Sequence, residues 1–252
     1  MVLYTVLQSQ RLDSLSHSKS PFPPCHDAIV KRSRASEAPA PNGLPFEDLT
    51  AANTLEHRET IAVPPDDFLD LILADVRSSR ICGACRGGMP LIFGMGPEKA
   101  ELMLIGEGPG VDDIQSGLPF QGQAGALLVK MMAAINVAFR ECYTCNVIKC
   151  IPPGQRNFQV DEIEDCRPFL LRQVLVVKPR IIIAFGALAA QTLLRSQKTI
   201  SVLRGQVYKL HLNECEIALV PTFNPAYLLR VPEKKREAWE DLKMVRELLA
   251  RF

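Results

Sequence analysis

Four cysteines carry the sharpest chemical signal in this sequence. Two residues separate Cys82 from Cys85, Cys150 lies far downstream, and Cys166 follows it after 15 intervening residues. Two thiols at that close spacing can grip one metal from a single turn, and folding must bring in the other pair. Four thiolates suit either structural zinc or an iron–sulfur cluster, and the spacing alone leaves both open. Eight unrelated buried thiols are the competing reading. A second close pair, Cys142 and Cys145, sits where a strand is expected. Positions three apart in a strand point to opposite faces, so this pair is expected to pack rather than share a metal.

Four further segments hold side chains suited to recognition and acid–base work. GEGPG (106–110) turns sharply after an apolar run and presents Glu107 as a carboxylate at a strand end. GLPFQGQAG (117–125) offers Phe120 as a flat aromatic platform that a base can stack on. CNVIKC (145–150) places Asn146 in a strand, where a buried amide needs a donor and an acceptor at once. A pyrimidine edge supplies that pair, and so does backbone. In PTFNPAYLLR (221–230), Asn224-Pro225 reads as a turn. Leu228 and Leu229 stand beside Arg230 there, as ordinary core or as a wedge next to a phosphate contact.

The elements that must position these residues follow from periodicity. Short apolar runs rich in branched residues, LMLIG (102–106), TCNVIK (144–149), IIIAFG (181–186) and IALVP (217–221), predict four buried strands. Helical stretches are predicted at 66–79, 124–136, 160–177 and 187–195. The last, at 236–252, has Trp239, Leu242, Val245, Leu249 and Phe252 on one face. Alternating strands and helices imply a mostly parallel α/β sheet covered on both sides, and ligands of such sheets bind at the carboxyl ends of the strands.

Residues 1–65 differ from the rest. They hold eight of the 19 prolines, with PFPP at 21–24 and SEAPAPNGLP at 36–45. Such composition buries little apolar surface against its ordering entropy, so a disordered extension over 1–65 and a globular domain over 66–252 are expected. KRSR (31–34) reads as a solvated charge run. Charge is balanced, 29 basic against 28 acidic residues, which argues against a binder held by phosphate neutralisation alone. No run is long enough for a membrane span, and the start is a poor signal peptide. A cytoplasmic monomer without membrane contact is expected, in which cysteines serve metal or catalysis more than disulfides.

Taken in order, GEGPG, GLPFQGQAG, the CNVIKC–PP–R run at 145–156 and NPAYLLR resemble the family 4 uracil-DNA glycosylases, the iron–sulfur branch of their superfamily. The resemblance covers about 66–252. It implies a three-layer α/β/α fold with a short central parallel four-stranded sheet. It also implies a 4Fe-4S cluster on Cys82, Cys85, Cys150 and Cys166. The implied activity flips uracil out of single- or double-stranded DNA and hydrolyses its N-glycosidic bond, leaving an abasic site. By position, Glu107 handles the attacking water, Gly108 and Pro109 shape the turn against the base, Phe120 stacks on it and Asn146 reads its edge. Leu228 is the wedge, beside Arg230.

Two positions depart from that pattern. Asn224 stands where the family usually has histidine, and its amide would serve the leaving group. Ile114 stands where a further acid is common, although Asp112 and Asp113 remain. The branch that captures uracil covalently inserts a histidine after the third cysteine. Here the stretch reads IPPGQRNF, without one. Asn224 motivates an alternative, a DNA-binding or damage-sensing relative with weak catalysis or a broadened range of deaminated bases. An iron–sulfur electron carrier is disfavoured, since it needs none of Glu107, Phe120 and Asn146.

Overall fold

A computed structural model describes residues 55–79, 90–152, 154 and 156–251. Expectations for residues 1–54, including KRSR, for Cys82 and Cys85, and for Phe252 fall outside these residues. The sheet is built from β1 (Leu55–Glu59), β2 (Leu102–Gly106), β3 (Tyr143–Asn146), β4 (Ile181–Phe185), β5 (Tyr208–Leu212) and β6 (Cys215–Thr222). Its order is β1-β5-β6-β4-β2-β3. The four expected runs form its parallel centre, β6-β4-β2-β3, and β2 and β4 are buried at every position. Residues covered on both faces need an unbroken apolar run, which is why these strands read clearly.

The sheet has six strands rather than four. β5 runs antiparallel to β6, and β1 pairs with β5 in parallel. β5, YKLHL, alternates buried with half-buried positions, so its lysine and histidine break the apolar run. β1, LEHRE, has a single apolar residue. It lies inside the segment expected to be extension, so the ordered fold starts before residue 66. Asn213 holds it there. Its side-chain oxygen accepts from the Ile61 N–H at 2.9 Å, and its backbone N–H donates to the Glu59 carbonyl at 3.0 Å.

Two helical layers cover the sheet. On one face lie α4 (Val160–Val177) and α5 (Ala187–Leu194), which set Leu170, Val174 and Leu193 against Ile105, Tyr143 and Ile182. On the other lie α3 (Gly122–Ala134) and α8 (Lys235–Leu249), which set Leu128, Met132, Leu242 and Val245 against Leu104, Ile183 and Val220. Each such buried side chain stabilises the fold by about 1.5–3 kcal/mol. α1 (Leu69–Ser79) packs Ile72 and Val76 on Phe169 of α4, and Arg172 binds Asp67 through two hydrogen bonds of 2.7 and 2.8 Å. Three short helices, α2 (Val111–Ser116), α6 (Ile200–Leu203) and α7 (Pro225–Arg230), sit in connections. No described helix is long and apolar enough to cross a membrane.

Candidate active site

Four strand ends meet at one edge of the sheet. Glu107 follows β2, Asn146 ends β3, Gly186 follows β4, and Asn224 lies two residues beyond β6. The Glu107 carboxylate is held from two sides. Oε1 accepts from the Leu188 N–H at 3.0 Å in the first turn of α5, and Oε2 accepts from Asn224 Nδ2 at 3.1 Å. Helix N-termini present free N–H groups and positive partial charge, so the anion is well placed. Gly186, at φ 102°, makes the approach possible, since a Cβ there would stand 2.5 Å from the Glu107 carboxyl carbon.

Asn146 faces this group from the neighbouring strand, in register with Gly106. It is 2% exposed, and its Nδ2 has no hydrogen-bond partner among the described residues. A buried amide donor without a partner costs about 1–3 kcal/mol, so the position asks for a ligand acceptor. Gly106 is the floor of the same space: a Cβ there would collide with Asn146 Oδ1 and stand 2.8 Å from the Phe120 ring. Phe120 sits at φ 56°, a left-handed conformation unfavourable for an aromatic residue. Its ring packs edge-on against Phe185 at 6.1 Å. Backbone strain is thus held where the ring borders the Asn146 amide.

Asn224 is the N-cap of α7. Its Oδ1 accepts from the Ala226 N–H at 2.9 Å, which leaves the amino group to donate. The expected wedge is corrected here. Leu228 is 1% exposed and packs in the α3/α8 core. NPAYLLR begins a helix at Pro225 rather than continuing as a loop, so residue 228, one turn on, faces inward with Pro225. Leu229, at 38% exposure, and Arg230 face outward.

Sequence reasoning missed the residues that brace this site. Asp113 accepts from the Gly110 N–H at 2.9 Å and the Gln121 N–H at 2.7 Å, so it ties GEGPG to the Phe120 loop. Phe158 lies directly against Gly108. Arg156 binds Glu162 through 2.7 and 2.9 Å contacts and orders the turn before α4. Below Asn224, Thr222 donates to Asp241 at 2.7 Å, and Arg204 binds the same carboxylate at 2.7 and 3.0 Å. Burial pushes the Asp241 carboxyl above its ordinary value despite these partners. A buried acid followed by a loop aromatic was the available signal for Asp113, but only the fold shows what it holds.

Among the thiols, Cys150 and Cys166 share the buried core on the α4/α5 face. The ten residues that contain Cys82 and Cys85 connect two anchored ends. α1 packs on α4, the helix that carries Cys166, and Leu91 bridges Cys150 directly. Cys82 and Cys85 themselves fall outside the described residues. Cys142 and Cys145 lie in cores on opposite faces of the sheet. Burial pushes the Cys142 thiol up to about 12 and the Cys145 thiol upward as well.

An α/β/α layer fold with an acid and two amides at the strand ends, bordered by a loop aromatic, defines a class, and the comparisons agree with it. Residues 93–243 match the family model of the uracil DNA glycosylase superfamily. The Type-4 uracil-DNA glycosylase of Archaeoglobus fulgidus is 34% identical over 72% of this chain and 94% of its own length. That of Saccharolobus solfataricus is 35% identical over 73% of this chain and 88% of its own, and that of Thermotoga maritima 29% identical over 73% and 96%. The chain belongs to the type-4 branch of this superfamily.

Proposed function

We propose that this protein removes uracil from DNA by hydrolysing its N-glycosidic bond, which leaves an abasic site. The observation that carries the reading is the unpartnered Asn146 Nδ2, buried beside Phe120 and opposite the doubly held Glu107 carboxylate. A base inside a duplex must be extruded to reach such a pocket, and single-stranded DNA needs no extrusion. Phe120 then stacks on the flipped base. Asn146 Oδ1 accepts the uracil N3–H and Nδ2 donates to O4. Cytosine presents the opposite donor–acceptor pattern and is refused.

Bond cleavage follows from the same residues. Water attacks C1′ of the deoxyribose, the C1′–N1 electron pair leaves with uracil, and Glu107 takes the proton from the water. Asn224 has two amino hydrogens, one of which holds Glu107. The other is free to donate to the uracil oxygen as negative charge builds there. Leu229, on the exposed face of α7, takes the place of the buried Leu228 and meets the DNA beside Arg230.

Cys82, Cys85, Cys150 and Cys166 would hold a 4Fe-4S cluster. When bound, the cluster supplies a cross-link between three chain segments close to the base-reading strand. The test is one assay: purified protein, oligonucleotides with a single uracil in single strand and in duplex, then alkali. Strand scission at the uracil and none at cytosine is expected. Intact strands at every uracil would refute the reading.

A further inference from the structure

Asn224 is held from behind by a buried charge cluster that the chemistry above does not use. Thr222, the last residue of β6, is 0% exposed and stands two residues before Asn224. Its carbonyl accepts at 2.9 Å from the N–H of Gly186, the glycine that lets Glu107 approach. Its hydroxyl donates to Asp241 of α8 at 2.7 Å. Asp241 is 0% exposed and takes three more donors: Arg204 Nε at 3.0 Å, Arg204 Nη2 at 2.7 Å and the Gly205 N–H at 3.1 Å. The Arg204 guanidinium also donates to the Glu237 carbonyl at 2.6 Å. It lies 5.4 Å from the centre of the Phe223 ring, which packs on Tyr227 of α7 at 5.3 Å. One acid–guanidinium pair thus grips both residues before Asn224, Thr222 through its hydroxyl and Phe223 through its ring. A buried ion pair adds little net stability over apolar groups of the same volume, which leaves geometry as what it contributes. A carboxylate accepts all four donors, whereas an amide of the same size would turn N–H groups toward some of them.

We propose that Asp241, together with Arg204, is a positioning residue for Asn224. The pair fixes the end of β6 against α8, and with it the backbone from which the Asn224 amide reaches Glu107. Thr222 carries the hold in two directions. Through its carbonyl it sets Gly186, against which the Glu107 carboxylate lies, and through the chain it sets Asn224. The 3.1 Å contact between Asn224 Nδ2 and Glu107 therefore depends on a carboxylate that touches neither residue. The inference rests on the reading of Asn224 as the donor to the leaving group.

The experiment uses the full chain and measures kcat and KM on a uracil oligonucleotide, with the melting temperature alongside. Asp241→Asn is compared alone and combined with Asn224→Ala. It keeps the volume and loses the shared acceptor. Its kcat should fall about tenfold, less than the 10²–10³ of removing a preorganised donor outright, with KM near the parent's. In the Asn224→Ala background the same substitution should leave kcat where Asn224→Ala alone puts it, because the residue it positions is gone, while the melting temperature still falls. A parental kcat in Asp241→Asn, or the same fold loss in both backgrounds, overturns the proposal. If Asp241→Asn does not fold, Thr222→Val decides. It keeps a β-branched side chain in the strand and removes one hydrogen bond, so a several-fold lower kcat is expected, restored by Thr222→Ser. A kcat that valine leaves unchanged, or that serine does not restore, overturns the proposal. A parent that leaves uracil in place, or an Asn224→Ala variant with the parent's rate, would instead defeat the underlying reading.

Discussion

Asn224 donates to Glu107 across 3.1 Å, while its own carbonyl oxygen caps helix α7. The amide is thereby held in one orientation, with oxygen toward the helix and nitrogen toward the acid. This favours Asn224 as a fixed donor in the reaction over a residue that turns either face to the substrate.

Substitution at 224 separates the two roles. Asn224→Ala loses both the cap and the donor. Its stability should fall by about 1 kcal/mol, and its rate by up to about 10²–10³. Asn224→Asp keeps the cap oxygen but sets a second carboxylate against Glu107. Its melting temperature should stay near the parent's while activity collapses at neutral pH, and its pH–rate profile should move toward higher pH, because like charges raise the pKa of the pair. Equal rates for parent and alanine variants would remove Asn224 from the chemistry.

Glu107→Gln preserves size and still accepts one hydrogen bond, but cannot take a proton from water. Base excision should drop by about 10²–10⁴ with DNA binding retained. Asn146→Ala should raise KM for uracil substrates more than it lowers kcat. A gel-shift titration alongside single-turnover kinetics resolves the two patterns, and parental single-turnover rates in Glu107→Gln would reduce that residue to a turn acid.

The sequence reading reached the parallel centre of the sheet and the residues at its strand ends because both depend on local pattern. Buried strands need unbroken apolar runs; GEGPG stands where one stops and Asn146 lies within another, while Phe120 was legible from its glycine-flanked loop. β1 and β5 escaped because strands carrying lysine, histidine and glutamate show no such run. Leu228 misled for a related reason: whether a short segment is loop or helix decides which of two adjacent leucines faces water, and NP announces a turn without showing that a helix follows. The links from Asp113 to Gln121 and from Glu107 to Leu188 join residues that only the fold brings together.

The two leucines should behave differently. Leu228→Ala opens a hole in the α3/α8 core and should cost about 2–4 kcal/mol of stability, read by urea denaturation. Leu229→Ala should leave stability within about 0.5 kcal/mol but reduce activity on duplex more than on single-stranded DNA, because extrusion is needed only in the duplex. Arg230→Ala should weaken binding to all sequences and flatten its salt dependence by about one phosphate contact. Unaltered duplex activity in Leu229→Ala would leave the wedge to another residue.

β1 is tied to the domain by an ion pair that titrates. Glu59 binds the guanidinium of Arg167 through both carboxylate oxygens, and Arg167 is 5% exposed. Those hydrogen bonds, against a smaller opposing effect of burial, hold the Glu59 carboxyl below its ordinary value of 4.5. A carboxyl depressed in the folded state contributes stability that is fully present above the ordinary value and is lost as pH falls through the folded one. Glu59→Gln should therefore cost about 2 kcal/mol at pH 7, and the gap to the parent should begin to narrow as the pH drops below about 4.5 and close below the folded-state value. A gap that stays constant across the titration would assign the loss to packing.

The cysteines give the last prediction. Ligation needs thiolates that converge, and only some of these thiols meet that condition. Cys150 and Cys166 share one core, next to the anchored ends of the segment that carries Cys82 and Cys85. Cys142 lies on the far face of the sheet, and burial holds its thiol up to about 12, so it stays protonated at neutral pH. Cys145 is on the same face as Cys150, but it is a strand residue in register with Ile105, its thiol is also pushed upward by burial, and it is fully enclosed. Anaerobically purified protein should be brown, with iron and sulfide in equal amounts. Alanine at 82, 85, 150 or 166 should remove most of both. Alanine at 142 or 145 should retain them, at a cost of about 1 kcal/mol of stability for the lost packing. Treatment of the parent with a strong iron chelator should lower its melting temperature, because the metal group binds the folded state only. A colourless preparation with stoichiometric zinc would replace the cluster by a structural zinc site on the same four residues, and loss of colour in Cys145→Ala would place Cys145, next to Asn146, among the ligands.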